Sequence, residues 1–326
     1  MKLPSRRQFL HLAVGAAALP VISRVAWAQF YPSRPVRIIV GYAPAGAGDI
    51  STRLMGQWLS ERLGQQFIVE NRPGAGTNIA TEAVVRAAQD GYTLLMSSAA
   101  NAINATLYER LNFNFIRDLT PIAGIMRVPH VIVVHPSFSA KTLPEFIAYA
   151  KANPGKLAWA SPGVGTAGHV CGELFKRMAG LNMVHVPYRG GGAAMADLLS
   201  GQLQAYVGAM TSSLEYVKAG SLRALAVTTA TRSEALPEIS TVSDFVPGFE
   251  TSDWGGVSGP KGTPAEIIDR LNKEINAGLA DPKIKARFAD LGATVIPGSP
   301  ADFGKLIAEE IEKWAKVIRA SSIKAE

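Results

Sequence analysis

The chain has 326 residues and a formal net charge of +7, and its single cysteine excludes an internal disulfide and zinc sites built on several cysteines. No cluster of Lys and Arg of the kind that follows a phosphate backbone is present, so we expect no nucleic-acid partner. The length is sufficient for two domains, and without disulfides a large apolar core must hold them together.

Residues 1–28 have the pattern of an export signal. A basic start is followed by an apolar stretch over 12–22, and small residues precede the predicted cleavage before Gln29. The stretch is shorter than the roughly 20 residues that span a bilayer, and no cysteine follows it to carry a lipid, so we expect no membrane anchor. The sequence SRRQFL at 5–10 resembles the twin-arginine export signal, and ordinary secretion is the alternative.

Beyond the signal, the spacing of apolar residues predicts strands that alternate with helices. Strands are short runs between turn residues, whereas helices repeat apolar residues every three to four positions. This alternation is typical of mainly parallel sheets with helices on both faces, so the predicted fold class is α/β. The predicted strands are 36–42, 67–70, 92–96, 130–135, 157–160, 184–187, 204–209, 223–228 and 254–258, and the predicted helices are 49–63, 80–88, 142–152, 167–179, 192–200, 212–219, 264–279, 281–290 and 300–320.

Two apolar stretches interrupted by proline or glycine, 122–136 and 245–260, predict places where the chain crosses between two lobes. The middle of the chain then forms a lobe inserted into the first, with a cleft between them. The predicted first lobe comprises residues 29–128 and 252–326, and the predicted second lobe comprises 129–251.

Five loops that follow predicted strands are candidates for a binding site. Ligands in open α/β sheets bind at the carboxyl ends of strands, and the free N–H groups of a helix start favour anions. Several of the loops contain glycine or hydroxyl residues and open a helix. They are 41–49, 97–104, 160–170, 186–195 and 207–213.

The first of these loops, GYAPAGAGD, does not match the common nucleotide motifs. Ser51 stands where the third glycine of a dinucleotide-binding fingerprint belongs, and no lysine completes a phosphate-binding loop. Two interpretations stay open. The loop is an anion-binding helix start, or it is a plain turn in which Asp49 caps the helix.

Enzyme motifs are not found in the sequence. The nearest stretch to a G-x-S-x-G elbow lacks the final glycine, and no histidines are spaced as a metal pair, so we expect neither cofactor nor metal. One hydrolase alternative remains, with Ser161 as nucleophile and His169 as base. Binding without chemistry requires only hydrogen-bond donors and shape, which the loops offer.

Several long motifs, in order along the mature chain, resemble the Bug-type solute receptors of tripartite tricarboxylate transporters. They include PVRIIVGYAPAGAGD (35–49), VENRPGAGTNIATEAV (69–84), NPGKLAWASPGVGTAGH (153–169), VHVPYRGGGAAMADLLSGQLQ (184–204), KAGSLRALAVTTATRS (218–233) and GTPAEIIDRLNKEIN (262–276). The resemblance implies a monomeric periplasmic receptor with a two-lobe, type II-like periplasmic-binding-protein fold. It also implies closure over a small carboxylate, delivery to a membrane permease and no chemistry. A receptor that passes the signal to a membrane partner is the alternative.

The resemblance also implies which residues hold the ligand, mainly through backbone N–H groups, hydroxyls and ordered water. The first lobe is expected to contribute Ala43, Gly46, Asp49, Ser98 and Asn101, the second lobe Ser161, Gly165, Thr166, His169, Tyr188, Arg189 and Gly208, and the second crossing Ser252 and Trp254. For three of them a structural role is the alternative. In this alternative, Asp49 only caps a helix, Arg189 braces its own loop and Trp254 belongs to the core.

One departure from the family pattern bears on the ligand. The resemblance implies that members which bind amino acids have an aspartate after this strand, where it pairs with the ligand ammonium. In this chain the strand ends at Val207 and is followed by Gly208 and Ala209. A buried ammonium without a counter-charge is unfavourable. We therefore expect a mono- or dicarboxylate without an amino group, with room beside Gly208 and Ala209 for a bulkier body such as an aromatic one.

Overall fold

A computed structural model describes residues 31–321 and 323–325, so the predicted export signal lies outside the described residues. The predicted α/β alternation is confirmed. The elements are β1 (Val36–Val40), α1 (Ala47–Leu63), β2 (Phe67–Asn71), α2 (Asn78–Val85), β3 (Thr93–Ser98), α3 (Ala99–Leu107), α4 (Phe115–Asp118), β4 (Leu119–Val134), α5 (Leu143–Ala152), β5 (Ala158–Ser161), α6 (Ala167–Ala179), β6 (Val184–Pro187), α7 (Gly191–Leu199), β7 (Ala205–Ala209), α8 (Leu214–Lys218), β8 (Arg223–Val227), β9 (Ser252–Pro260), α9 (Ala265–Ala280), α10 (Pro282–Asp290), β10 (Thr294–Val295) and α11 (Pro300–Ser321).

The strands form one continuous path in the order β2-β1-β3-β9-β4-β7-β5-β6. We call β1, β2, β3, β9 and the first part of β4 the first sheet, and β5, β6, β7, β8 and the last part of β4 the second sheet. β1 pairs in parallel with β2 and β3, and β5 pairs in parallel with β6 and β7. The pairs made by β4, and that between β3 and β9, are antiparallel, so each sheet is mixed.

The long strand β4 belongs to both sheets. Its residues up to Pro129 pair with β9, whereas those from His130 onwards pair with β7 and β8. The chain returns from the second sheet to the first beside this point of β4. Thr251 N–H still donates to Thr228 O at 2.9 Å, whereas the next residue, Ser252, pairs with Pro129. The two crossings therefore lie side by side.

Burial of apolar side chains on both faces of the sheets explains why these runs form strands. Ile38 and Leu94 of the first sheet are fully buried, as are Ile132 and Trp159 of the second. Trp314 of α11 is equally buried. Each such side chain contributes roughly 1.5–3 kcal/mol relative to an exposed one. None of the helices within the described residues is long and apolar enough to span a membrane.

Three details differ from the predicted elements. Residues 99–107 form α3, although 97–104 were expected as a loop. The polar residues around the start of this helix, Ser97, Ser98 and Asn101, made it hard to recognise in the sequence. The strand expected at 130–135 begins eleven residues earlier, at Leu119. Helix α1 is capped by the backbone of Gly46 rather than by Asp49, which lies inside its first turn.

A glycine in β9 is expected to be essential to the packing of the first sheet. A Cβ on Gly256 would lie 2.5 Å from the carbonyl oxygen of Ala123 and would collide with the Phe303 ring. We expect Gly256→Ala to lower the free energy of unfolding by about 1–3 kcal/mol in urea titrations. Gly304→Ala on α11 is the matched control, because its nearest neighbour, Pro121 Cγ, is 3.5 Å away. Equal stability of the two variants would contradict the packing argument.

Candidate ligand-binding site

A cavity with about 390 Å³ of space not filled by protein atoms, part of it open to solvent, lies between the ends of the two sheets. It is bounded on one side by the loop after β1, the start of α1 and the end of β3. On the other side lie the end of β7 and the start of α7. Residues that line it include Tyr42, Gly46, Ser98, Gly191, Tyr206, Ser212, Asp253 and Trp254.

Two helix starts face each other across this cavity. The first helical hydrogen bond of α1 is Ile50 N–H to Gly46 O at 2.9 Å, and that of α7 is Ala194 N–H to Gly190 O at 3.4 Å. The N–H groups before Ile50 and Ala194 in each first turn therefore have no partner within their helix. A Cβ on Gly46 would be only 3.6 Å from the nitrogen of Gly191. Positive ends of two helices thus meet at one point, a geometry that favours an anion.

The two sides are held together by backbone contacts. Ala43 N–H donates to Arg189 O at 2.8 Å, which joins the loop after β1 to the loop after β6. A Cβ on Gly192 would lie 2.7 Å from the carbonyl oxygen of Pro44. Glycine at this position of α7 therefore allows the two loops to touch, and the structure has a closed cleft.

Hydroxyl groups provide most of the polar lining of the cavity. Tyr42 Oη and Ser98 Oγ are 3.0 Å apart and share a hydrogen bond. Tyr206 is completely buried, and its hydroxyl has no hydrogen-bond partner among the described residues. Ser212 Oγ lies close to it without the geometry of a hydrogen bond, although the contact partly offsets the rise that burial causes in the pKa of Tyr206. An unpartnered buried hydroxyl facing a cavity is typical of a group that awaits a ligand.

Asp253 is the one carboxylate that lines the cavity. Its Oδ1 accepts the Trp254 N–H at 2.8 Å. Burial raises the pKa of Asp253 to about 6, against the opposing effect of hydrogen bonds from the N–H groups of Trp254 and Ala99. Nearby Glu310 raises it further, and Arg127 lowers it. Asp253 is therefore a carboxylate at the edge of the site. Within the described part of the chain it has no ion-pair partner within 4.0 Å.

The residues predicted on the first-sheet side divide into two groups. Gly46, Ser98 and Trp254 line the cavity, and Ala43 makes the contact across the cleft. The others are occupied by internal contacts. Asp49 accepts from Ala45, Arg53 and Asn71, Asn101 accepts from Ser98 N–H and donates to Thr81, and Ser252 accepts from Arg127.

Asp49 shows why a carboxylate in a helix start need not face a ligand. Burial alone would raise its pKa, but hydrogen bonds from Arg53 and Asn71 outweigh burial and lower it. Asn71 Nδ2 donates to Asp49 Oδ1 at 2.8 Å and to Tyr42 O at 2.9 Å. Asp49 therefore stabilises the loop that shapes the cavity.

Only some of the residues predicted on the second-sheet side border a wider, open part of the cleft, whereas Ser161, Gly165, His169 and Gly208 line neither that part nor the cavity. This outer space of about 1140 Å³ adjoins the cavity at Tyr42 and Pro162 and is lined by Thr166, Tyr188 and Arg189. Thr166 also caps α6, accepting from His169 N–H at 3.3 Å, and Tyr188 donates to Asp197. Gly165 N–H donates to His169 Nδ1 at 3.4 Å.

Ser161 has a histidine partner, but the partner is His185 rather than His169. Ser161 Oγ and His185 Nε2 are 2.7 Å apart, and the rings of His169 and His185 stack at 4.5 Å. Ser161 is fully buried, and His185 Nδ1 has no partner among the described residues. Burial lowers the pKa of His185 to about 3. A histidine that no third group orients, beside an inaccessible hydroxyl, lacks the arrangement of a hydrolase.

The room expected beside Gly208 is occupied. A Cβ on Gly208 would collide with the ring and hydroxyl of Tyr206, which lies along the same strand. The argument for an aromatic ligand from this position is therefore wrong, because Tyr206 fills the space. Tyr206, Tyr42, Ser212, Gly191 and Asp253 were all missed in the sequence, although the glycine run at 190–192 and the strand ends marked their neighbourhoods.

The unpaired carboxylate of Asp253 should lower the stability of the protein. A folded-state pKa raised from 3.8 to about 6 means that stability is fully present at low pH and is lost as the pH rises through 6. We expect Asp253→Asn to raise the free energy of unfolding at pH 7.5, on the order of 1–3 kcal/mol, and to change it little at pH 4. Urea titrations at both pH values measure the difference. Asp269→Asn, on an exposed residue of α9, is the control. A variant less stable than wild type at pH 7.5 would exclude this account.

Comparison with known proteins agrees with this architecture. Residues 52–323 match the family described as the tripartite tricarboxylate transporter family receptor. The chain is 36% identical to the protein BugT of Bordetella pertussis over 318 residues, which cover 97% of this chain and 96% of BugT.

Two solved structures are similar over most of the chain. One is Rpa4515 of R. palustris with adipate, at 34% identity and a TM-score of 0.88, covering 90% of this chain and 99% of that one. The other is MatC of Rhodopseudomonas palustris with bound malate, at 28% identity and a TM-score of 0.85, covering 88% and 100%. This chain therefore belongs to the Bug-type periplasmic receptors of the tripartite tricarboxylate transporter family.

Proposed function

We propose that the chain captures a small mono- or dicarboxylate without an amino group in the cavity between the two helix starts and delivers it to a membrane permease of the tripartite type. The observation that carries this proposal is the meeting of the α1 and α7 starts, from the two sheets, at one cavity. Two opposed positive helix ends suit a carboxylate better than any neutral or cationic group.

Closure over the ligand follows from a division into two lobes at the paired crossings. A lobe of residues 29–128 and 252–326 carries α1, and a lobe of 129–251 carries α7. A ligand that touches both helix starts favours the closed form through contacts that the open form cannot make. Micromolar binding requires a binding free energy of about 8 kcal/mol. Several charge-assisted hydrogen bonds of ~1.5–3 kcal/mol each supply it, after subtraction of the free energy lost when the ligand and the side chains around it become ordered.

The nature of the ligand is inferred from two sources. Structures of related receptors hold adipate and malate, both of which lack an amino group. In this chain, Gly208 and Ala209 offer no acidic side chain at the end of β7, so an ammonium placed there would have no counter-charge. Asp253, at the start of β9, is the carboxylate that lines the cavity, and the aspartate and glutamate arms of the panel below test whether it pairs with an ammonium.

Binding is proposed to leave the ligand chemically unchanged. The buried Ser161–His185 pair is the nearest approach to a nucleophile and base, and it lines neither the cavity nor the outer cleft. Its geometry supports a structural role that fixes the turn after β5, where Ser161 Oγ also accepts from Gly163 N–H at 3.1 Å.

A carboxylate panel tests the proposal directly. We expect the purified mature chain to gain thermal stability with one or more aliphatic carboxylates, because a ligand at 100 times its Kd adds about 2.7 kcal/mol to the folded state. Benzoate and the amino acids aspartate and glutamate complete the panel. The proposed function is wrong if no carboxylate stabilises the protein, or if only the amino acids do.

Changing one of the two helix starts tests the site. A Cβ on Gly191 would lie 2.5 Å from Ser212 Oγ and 2.8 Å from Tyr206 Oη, inside the cavity. We expect Gly191→Ala to weaken binding of the best ligand at least about tenfold in calorimetry, measured at a temperature at which its unfolding transition shows that the variant is folded. Gly304→Ala on α11 is the control and should bind normally. Unchanged affinity in Gly191→Ala would place the ligand elsewhere.

The predicted export route has its own test. We propose that the mature chain begins at Gln29 and reaches the periplasm through the twin-arginine pathway, which carries folded proteins. Intact-mass measurement of periplasmic protein should give the mass of residues 29–326. Changing Arg6 and Arg7 together to lysine should retain the precursor in the cytoplasm. Normal export of that double variant would indicate ordinary secretion instead.

A further inference from the structure

Asp253 has no evident role in a cavity built to attract an anion. An ionised carboxylate beside a bound carboxylate is repulsive, and no basic residue lines the cavity in the described part of the chain to separate them. Arg127, whose charge lowers the pKa of Asp253, is directed elsewhere: its Nη1 donates to Ser252 Oγ at 2.9 Å and lies 4.0 Å from Glu310 Oε1. Among the described residues, the donors to Asp253 are the backbone N–H groups of Trp254 and Ala99.

The hydrogen-bonding capacity of Asp253 is only partly used. A carboxylate offers about four lone-pair positions, and two N–H donors leave about two of them free. Asp253 is half-buried, lines the same cavity as Tyr206 and raises the pKa of that tyrosine through its charge. The Tyr206 hydroxyl is fully buried and has no hydrogen-bond partner among the described residues. A strong acceptor and an unpartnered hydroxyl therefore border one cavity.

One ligand group satisfies both side chains at once. An uncharged hydroxyl donates its hydrogen to a carboxylate and accepts a hydrogen bond from a phenol. A methylene at that position would leave the Tyr206 hydroxyl buried and unpaired, and it would offer no donor to the free lone pairs of the half-buried Asp253. A second ionised carboxylate there would repel Asp253. Sites built to bond a hydroxyl reject analogues that lack it, because their own polar groups are then left unsatisfied.

We propose that Asp253, together with Tyr206, makes this receptor select carboxylates that carry a hydroxyl group over carboxylates of the same skeleton that lack one. The inference rests on the proposed function, since the helix starts of α1 and α7 hold the ligand carboxylate. Asp253 acts as a specificity-determining acceptor. The destabilising burial of its charge is then tolerated because the ligand hydroxyl completes its hydrogen bonds.

Matched ligand pairs test this selection in the mature protein. Calorimetry at pH 7.5 compares succinate with malate, glutarate with 2-hydroxyglutarate, and butyrate with 3-hydroxybutyrate. For the skeleton that fits the cavity, we expect the hydroxy acid to bind at least about tenfold more tightly. Asp253→Asn, which keeps the shape of the side chain, should reduce that ratio to about threefold or less. Tyr206→Phe should reduce it as well, and Asp269→Asn on the surface should leave it unchanged.

Each contrary outcome has a separate meaning. If no carboxylate binds, the proposed function itself fails. If plain acids bind as tightly as their hydroxy partners in wild type, or if Asp253→Asn preserves the preference, the selection by Asp253 is wrong while the receptor function stands. Tighter binding of aspartate than of malate would replace the uncharged donor by an ammonium and would overturn the proposal in its stated form.

Discussion

The structure depends on holding two positive helix ends face to face across a gap. Helix starts carry unsatisfied N–H groups, and each is compatible with burial only if water, a side chain or a ligand supplies acceptors. Here the approach is maintained by backbone contacts between glycine-containing loops, such as Ala43 N–H to Arg189 O at 2.8 Å. Asp49 lies in the first turn of α1 but is already bonded to Arg53 and Asn71, and the first turn of α7 has no acidic residue. We therefore infer that the anion-binding capacity of the cavity is kept for a ligand.

Three carboxylates near helix starts show how the same group takes different roles. Asp49 is satisfied by Arg53 and Asn71 within its own loop, and its pKa falls. Asp253 meets only backbone N–H groups, one of them at the start of α3, and its pKa rises to about 6. The third is the carboxylate that we propose as ligand, at the starts of α1 and α7. The α3 start is thus already occupied by an internal anion, which directs an external one to the other two helices.

Much of the architecture follows from local patterns in the sequence. Short apolar runs, helical periodicity and glycine-rich loops after strands locate most elements and both loops that meet across the cleft. Local patterns do not show which of two neighbouring residues caps a helix. Asp49 has the chemistry of a cap, yet the chain turns at Gly46 and Asp49 bonds back to Ala45 N–H at 3.0 Å. The polar first turn of α3 concealed a helix for a similar reason.

The polar lining of the cavity could not be predicted in this way, because it depends on contacts between residues distant in sequence. Tyr42 lies in the loop after β1, Tyr206 in β7 and Asp253 in β9, and they meet because β4 and β9 cross between the sheets side by side. The reverse holds for Ser161 and His169, which are close in sequence, whereas the ring that bonds Ser161 comes from β6. Fold class is therefore visible in periodicity, but site chemistry is decided by topology.

Backbone recognition and side-chain recognition have different consequences for a receptor of this kind. Helix starts contribute roughly 0.3–1 kcal/mol each, up to ~2 when partly buried, and they do so for any carboxylate of suitable size. Such a frame gives affinity for a class of compounds but little discrimination within it. Discrimination must come from the few side chains around the rest of the ligand, and in this cavity they are hydroxyls and one carboxylate. We therefore expect a change at Tyr206 or Asp253 to alter which acid is preferred, and a change at Gly46 or Gly191 to alter whether any acid is bound.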